Sequence, residues 1–294
     1  MANIAKISEG MTNSKELLEE IVSHITLNED AGEKQAIALL LFEKATGMDY
    51  AGIQLNRNVD RVDREWLRQA LQRVNRFEPV QYVTGEAHFL GRVWKVNPAV
   101  LIPRPETEEL VVWLGNYLER DRRKKEPIRA LDIGTGSGCI AISLALNVPG
   151  TEVTATDKSE DALQTAAENA KMLGAQVQWL HHDILKDALP ADTFDVVVSN
   201  PPYIHPSEVS DMQQQVWAHE PHEALFAPPE NPLLFYQALA GQAMTTLKQG
   251  GCLATEINAK YGAEVRTLFV NAGFHHVTVH QDINAKDRFV TAEK

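Results

Sequence analysis

The stretch Leu131-Asp132-Ile133-Gly134-Thr135-Gly136-Ser137-Gly138-Cys139-Ile140 closes one apolar run and opens another, with three glycines at alternate positions between them. It reads as a strand that passes through a tight turn into the start of a helix. Glycines there let the backbone approach a ligand closely, at a helix end whose unpaired N–H groups carry partial positive charge. The spacing G-x-G-x-G departs from the G-x-G-x-x-G of dinucleotide folds, which argues against a dehydrogenase.

Outward from this turn, strand and helix alternate. Residues 129–133, 153–156, 176–180, 195–198 and 252–257 read as strands, and 137–147, 160–173, 233–247 and 262–271 as helices. Such alternation predicts an α/β fold whose mostly parallel sheet is covered by helices on both faces. The last two strands, 277–280 and 288–291, stand too close for a helical crossover and should form an antiparallel hairpin at one edge.

Folds of this kind bind ligands beyond the carboxyl ends of their strands, so residues at those ends are the candidates. Asp157 ends the second strand about 20 residues beyond the glycine turn, where a carboxylate can accept both hydroxyls of a ribose. Asp183 and Ile184 follow the third strand, placed to meet an adenine amino group and to cover its ring. The pairs His181-His182 and His275-His276 read as strand-end features, because no third and fourth ligand stands at metal-site spacing. After the fourth strand comes Asn200-Pro201-Pro202-Tyr203. Its prolines remove backbone donors and fix φ, giving a stiff extended loop. That loop presents an amide, free carbonyls and an aromatic face, a combination suited to a planar NH2-bearing group such as an amide or a nucleobase.

The chain has 294 residues, enough for one medium domain and a smaller one, and no run of 18 apolar residues that would span a membrane. The N-terminus lacks the apolar core of a secretory signal. Its two cysteines, Cys139 and Cys252, lie far apart in apolar runs and read as buried thiols of a cytoplasmic protein. A net charge of −12 opposes unspecific binding to phosphate backbones, so direct nucleic-acid binding is not expected. The local cluster Arg57, Arg61, Arg64, Arg68, Arg73 and Arg76 is interleaved with Asp60, Asp63 and Glu65. It reads first as a solvated helix face and second as a docking surface for a large acidic or RNA-associated partner.

Residues 1–79 read as helical throughout, with an amphipathic helix from Ser14, an apolar one over 36–45 ending at Gly47, and a third over 62–77 capped by Asp60 or Asp63. They carry no catalytic constellation and suit a substrate-recognition domain. From Pro79 the pattern changes: 80–83 and 88–96 alternate like strands, with Gly91 near a hairpin turn, making 80–100 a β-hairpin connector. Next, Leu101-Ile102-Pro103-Arg104-Pro105-Glu106-Thr107-Glu108 leads into a helix expected to run to about Arg123.

Taken together, the glycine turn, the acid ending the next strand and Asn-Pro-Pro-Tyr after the fourth resemble class I S-adenosylmethionine-dependent methyltransferases that act on planar nitrogens. Pro79-Val80-Gln81-Tyr82, Gly85, Phe89, the 100–108 segment and Glu220-Pro221-His222-Glu223-Ala224-Leu225-Phe226 narrow this to a resemblance to the HemK/PrmC family, over nearly the whole chain. One departure is Ala227-Pro228-Pro229-Glu230-Asn231-Pro232, where that family usually has a glycine-containing turn. The resemblance implies a Rossmann-like, mostly parallel seven-stranded sheet over 101–294, joined by the hairpin to a small helical bundle. It implies that Gly134, Thr135, Gly136, Ser137, Gly138, Asp157, Asp183, Ile184 and Asn200 bind S-adenosylmethionine, which leaves as S-adenosylhomocysteine. It implies that Asn200, Pro201, Pro202 and Tyr203 hold the substrate, with Asn200, Pro201 and Tyr203 catalytic. The implied substrate is the glutamine of the Gly-Gly-Gln loop of peptide chain release factors. The alternatives are a ribosomal-protein glutamine, a DNA or RNA amino group, or cofactor binding without catalysis. Arg104, Glu106 and Thr107 either close over the cofactor or cap the helix.

Overall fold

The valine-rich run ending at Ser199 and the strand ending at Ile133 pair in parallel, and the rest of the sheet is built around them. The computed structural model describes residues 12–120, 127–191 and 193–294. The start of the expected first domain, the end of the helix expected to reach Arg123 and the charged run to Glu126 lie outside them. Two compact units result. One holds the described residues up to Glu86 together with Gln213–His219, the other Ala87–Met212 and Glu220–Lys294.

The first unit contains β1 (Thr12–Asn13), α1 (Ser14–Ser23), α2 (Ala31–Thr46), α3 (Tyr50–Gln54), β2 (Asn58–Val59), α4 (Arg64–Val74) and α5 (Val80–Thr84). Its longer helices start where a side-chain oxygen takes up an orphan N–H: Asn13 for α1, Asp30 for α2 and Asp63 for α4. Capping by Asp30 starts α2 five residues before the apolar run that announced it. Leu17, Ile21, Leu41, Phe42, Leu67 and Leu71 meet in one apolar core. Within the arginine cluster, Arg68 pairs with Glu65, and Arg73 grips Glu78 at 2.5 and 2.8 Å. That favours the solvated-face reading for these two.

Residues 80–83, expected as a strand, form α5 instead. Over Val80-Gln81-Tyr82-Val83-Thr84 either period can be read, and the local chemistry decides. Pro79 leads in, Gly85 closes the helix in the left-handed region (φ 75°), and Thr84 Oγ1 donates to the Val80 carbonyl at 3.0 Å. The helical unit therefore runs beyond the boundary expected at 79, and the strands of the connector reduce to a hairpin, β3 (Glu86–Phe89) and β4 (Arg92–Lys95).

Beyond the hairpin come α6 (Pro105–Arg120), β5 (Ile128–Ile133), α7 (Cys139–Asn147), β6 (Thr151–Asp157), α8 (Glu160–Leu173), β7 (Val177–His181) and β8 (Phe194–Ser199). There follow α9 (Gln214–His219, part of the helical unit), α10 (His222–Leu225), α11 (Leu234–Thr246), β9 (Leu247–Glu256), α12 (Gly262–Asn271), β10 (His275–Gln281) and β11 (Asp287–Glu293). The seven-stranded sheet has the order β10-β11-β9-β8-β5-β6-β7. Only β11 runs against the others, pairing antiparallel with both β9 and β10. The expected edge hairpin is thus present, with β10 outermost. No helix among the described residues is long and apolar enough to cross a membrane.

Strand residues alternate between the two faces. Ala130, Val196, Val198 and Ala254 pack toward α6 and α7, whose Leu110, Leu114, Ile140 and Leu144 fill one core. Leu131, Ile133, Val197 and Leu253 face Tyr236, Leu239, Val265 and Phe269 of α11 and α12 in the other. The hairpin is fastened to this body by Asn169 of α8. Its amide accepts from Lys95 N at 2.7 Å and donates to the carbonyls of Lys95 and Ser137, each at 2.9 Å.

Gly138, where the glycine turn becomes α7, has φ 82°, and a Cβ there would stand 2.8 Å from Ile142 Cδ1 and 3.0 Å from Ala166 Cβ. Gly138→Ala is expected to lower unfolding free energy by roughly 1–3 kcal/mol through overpacking and backbone strain. Urea denaturation checks this; an unchanged midpoint contradicts it.

Candidate active site

The chain order reverses between β5 and β8: from β5 it steps outward through β6 to β7, then returns to β8 and continues to β9. Ligands bind at such a switch point. In register, Ile133 lies opposite Thr156 and Ser199, and Ser199 opposite Thr255. The next residue in each strand or its exit is Gly134, Asp157, Asn200 or Glu256. Four separate motifs thus arrive at one edge in one row. Ser199 Oγ closes the central pair by donating to the Ile133 carbonyl at 2.7 Å.

The glycine turn is held by hydrogen bonds to the end of β6. Gly134 N and Thr135 N both donate to the Thr156 carbonyl, at 2.8 and 2.9 Å. Gly136 N donates to Asp157 Oδ2 at 2.9 Å, while Asp157 Oδ1 takes Ser159 N at 2.9 Å. Burial pushes the Asp157 carboxyl up, and these N–H donors pull it back. Beneath the turn lies Asp132, fully buried. Its Oδ2 accepts from Thr135 Oγ1 at 2.7 Å and Ala141 N at 3.2 Å, and its Oδ1 has no hydrogen-bond partner among the described residues. Thr135 and Ser137 are buried. Asp183 lies two residues past β7, with Oδ1 accepting from Leu185 N at 3.0 Å and Oδ2 paired with Lys186 at 2.7 Å. Ile184 packs against the Leu131–Phe269 core.

Across the switch point, Pro201 is buried and Pro202 half-buried. Asn200 Nδ2 donates to Thr107 Oγ1 at 3.2 Å, Thr107 Oγ1 donates to Glu256 Oε2 at 2.6 Å, and the Tyr203 hydroxyl donates to Glu256 Oε1 at 2.9 Å. Glu256 is 3% exposed. Burial pushes its carboxyl up, opposed by the two hydroxyls, and pushes the Tyr203 phenol well above its ordinary value with Glu256 beside it. Arg104 binds Glu220 Oε1 at 2.6 Å, while Glu220 Oε2 accepts from Ile102 N at 3.1 Å. Glu106 lies 3.5 Å from Arg288. The 101–107 segment is therefore tied to the rim by Glu220 and to the sheet edge by Glu256. Ile204 N donates to the Leu225 carbonyl and Ala227 N to the Ile204 carbonyl, so the proline-rich departure after Phe226 begins from an anchored strand-like contact.

Sequence reasoning found every member of the row except Glu256. The signal was available, since an acid ending an apolar strand is what singled out Asp157. Here Ile257 continues the apolar run and masks the strand end. Glu220 was quoted as part of a motif without a role.

This fold and site define a class I S-adenosylmethionine-dependent methyltransferase. The Methyltransferase small domain matches residues 116–226, and the PrmC N-terminal domain matches residues 16–85. The chain is 38% identical over 265 residues to a Release factor glutamine methyltransferase of Bacteroides thetaiotaomicron, covering 89% of this chain and 93% of that one. It is 36% identical over 267 residues to one of Bacillus subtilis, covering 90% and 92%. The catalytic domain of hMettl16, solved in complex with MAT2A 3′UTR hairpin 6, shares the fold. Its TM-score is 0.52 at 15% identity, over 68% of this chain and 74% of that one. The chain belongs to the release factor glutamine methyltransferase family, the family its sequence motifs resemble.

The residues present fit its cofactor. Gly134 and Gly136 have nothing within 4 Å of the place a Cβ would occupy, so open space lies above the turn where side chains would otherwise intrude. Asp157 keeps free lone pairs on both oxygens beside it.

Burial drives the Asp132 carboxyl from 3.8 up to about 7, with Thr135 and Ala141 pulling the other way. Between those values the native chain holds a proton that the unfolded chain has lost, so this group's contribution to stability falls as pH rises through the window and is level above it. Asp132→Asn abolishes the titration. The stability of the wild type relative to this variant is therefore expected to decline between pH 4 and 7. Denaturant melts across that range check it; a constant difference contradicts it.

Proposed function

We propose that this protein transfers a methyl group from S-adenosylmethionine to the side-chain amide N5 of the glutamine in the Gly-Gly-Gln motif of bacterial peptide chain release factors, in the cytoplasm. The observation that carries this reading is the Ile133–Ser199 pairing, which sets a ligand-cradling glycine turn beside the acceptor-rich Asn200-Pro201-Pro202-Tyr203 exit. Gly134 to Gly138, Asp157, Asp183, Ile184 and Asn200 would hold the cofactor. When bound, it supplies a methyl group already activated on a sulfonium.

What remains for the chain is orientation. An amide nitrogen is a poor nucleophile because its lone pair is delocalised into the carbonyl. The Asn200 Oδ1 and the Pro201 carbonyl accept the two N–H bonds of the substrate amide, and the Tyr203 ring lies against its plane. Each hydrogen bond contributes roughly 0.5–1.5 kcal/mol net. Their larger effect lies in fixing a near-attack geometry, from which several kcal/mol can come. As the new bond forms, the nitrogen becomes acidic, and after transfer it loses one proton to solvent water, leaving the neutral N5-methyl amide. The relatives named for release factors, matched over nine-tenths of both chains, support a protein glutamine as the acceptor over a nucleobase.

Incubating the purified protein with release factor and methyl-labelled cofactor, then mapping the Gly-Gly-Gln peptide by mass, tests this. One methyl on the glutamine is expected. An unmodified glutamine, or label in DNA or RNA alone, overturns it. Asn200→Ala is expected to lower kcat, measured with release factor at saturating cofactor, by roughly 100-fold or more. Wild-type turnover in this variant would remove Asn200 from the chemistry.

A further inference from the structure

We propose that Glu256 is a positioning residue which, acting through Thr107, fixes which way the Asn200 side-chain amide faces. The inference rests on the glutamine reading above and assigns the direction of its key hydrogen bond. Both hydroxyls on Glu256 donate, Thr107 to Oε2 at 2.6 Å and Tyr203 to Oε1 at 2.9 Å, so each carboxyl oxygen serves as an acceptor. Thr107 has one hydroxyl proton, and it is spent on Glu256. Its Oγ1 then offers only lone pairs, so the Asn200 atom 3.2 Å away must be Nδ2.

A side-chain amide is planar, and with Nδ2 turned to Thr107 its Oδ1 is turned away from Thr107. Shape alone does not distinguish the two amide ends; the hydrogen-bond chain does. That chain starts at a buried acid and ends at an acceptor, which is what a substrate NH2 group requires. With the direction reversed, Asn200 would present N–H to N–H and repel the acceptor nitrogen. Thr107 is held for this task by the first turn of α6, where its N–H donates to the Arg104 carbonyl at 3.1 Å. Thr107 is 2% exposed, which shields its hydroxyl from bulk solvent.

The test uses the full chain with release factor as acceptor. Thr107→Val keeps the shape and removes the relay; Thr107→Ser keeps the hydroxyl. Thr107→Val is expected to lower kcat by roughly 100-fold with KM for release factor changed by no more than about threefold, and Thr107→Ser to restore kcat to within about threefold of wild type. Glu256→Leu removes both acceptor oxygens, so Thr107 has no carboxylate to donate to, and it is expected to fall with Thr107→Val. The two changes combined should cost no more than either alone. An activity-independent reading comes from the Asn200 side-chain NH2 resonances. They should shift in Thr107→Val and stay near wild type in Thr107→Ser. Unshifted resonances in folded Thr107→Val, wild-type kcat in that variant, or a Thr107→Ser protein as slow as Thr107→Val each overturn the relay. A wild-type protein that leaves glutamine unmodified while the resonances move as expected overturns the glutamine reading and leaves the relay standing.

Discussion

The parallel pairing of β5 with β8, closed by Ile133 opposite Ser199, is the constraint on which the site depends. Parallel strands carry both ligand-facing ends to the same edge, and the reversal of chain order opens a crevice there. Because β6 and β9 pair in matching register on either side, Asp157 and Glu256 fall into the same row. A slip of one residue would turn every strand side chain to the opposite face. The two cores forbid it: Ala130 and Val196 fit one helical layer, and Leu131 and Val197 the other. Packing several residues below the edge thus sets the chemistry at the edge.

Two buried carboxylates anchor the two sides of the crevice, and they differ. Asp132 lies under the glycine turn with one oxygen satisfied by Thr135 and Ala141 and the other without a partner among the described residues. Glu256 lies behind Asn200 and Tyr203 with both oxygens taken by hydroxyls. Isolated buried charge is costly, and donors must offset that cost. At Asp132 one donor comes from the glycine turn and one from α7, and at Glu256 one comes from the Asn-Pro-Pro-Tyr exit and one from α6, so each acid ties its loop to a neighbouring helix. Thr156 and Asp157 hold the N–H groups of the turn.

The legible parts of the sequence were those where polarity changes abruptly at a strand end. Asp157 after an alternating run, the glycines after Ile133 and Asn200 after three valines and a serine all stand out this way. Glu256 does not, because Ile257 follows it. Nor do α9 and α10, which are short, polar and separated by Glu220-Pro221; their lengths allow no apolar period to emerge. The 80–83 run misled because its valines and tyrosine fit a strand, while the features that make it a helix are a proline before and a glycine after. Local propensity settles little over five residues; the caps settle more.

The same Asn-Pro-Pro-Tyr geometry would serve a nucleobase as well as an amide, so substrate class must come from outside the crevice. A nucleic-acid acceptor demands cations free to neutralise phosphates. In this chain the charge balance is −12, and in the arginine cluster Arg68 is engaged by Glu65 and Arg73 by Glu78. At the rim, Lys158 is paired with Glu223 at 2.5 Å and Arg104 with the buried Glu220. Cations beside the site are thus committed to holding the chain's own loops, which supports a neutral acceptor delivered on a protein. An amide of that kind brings no charge to steer it. On the reading proposed, recognition falls to shape and to the direction of hydrogen bonds, which the chain from Glu256 through Thr107 to Asn200 would set.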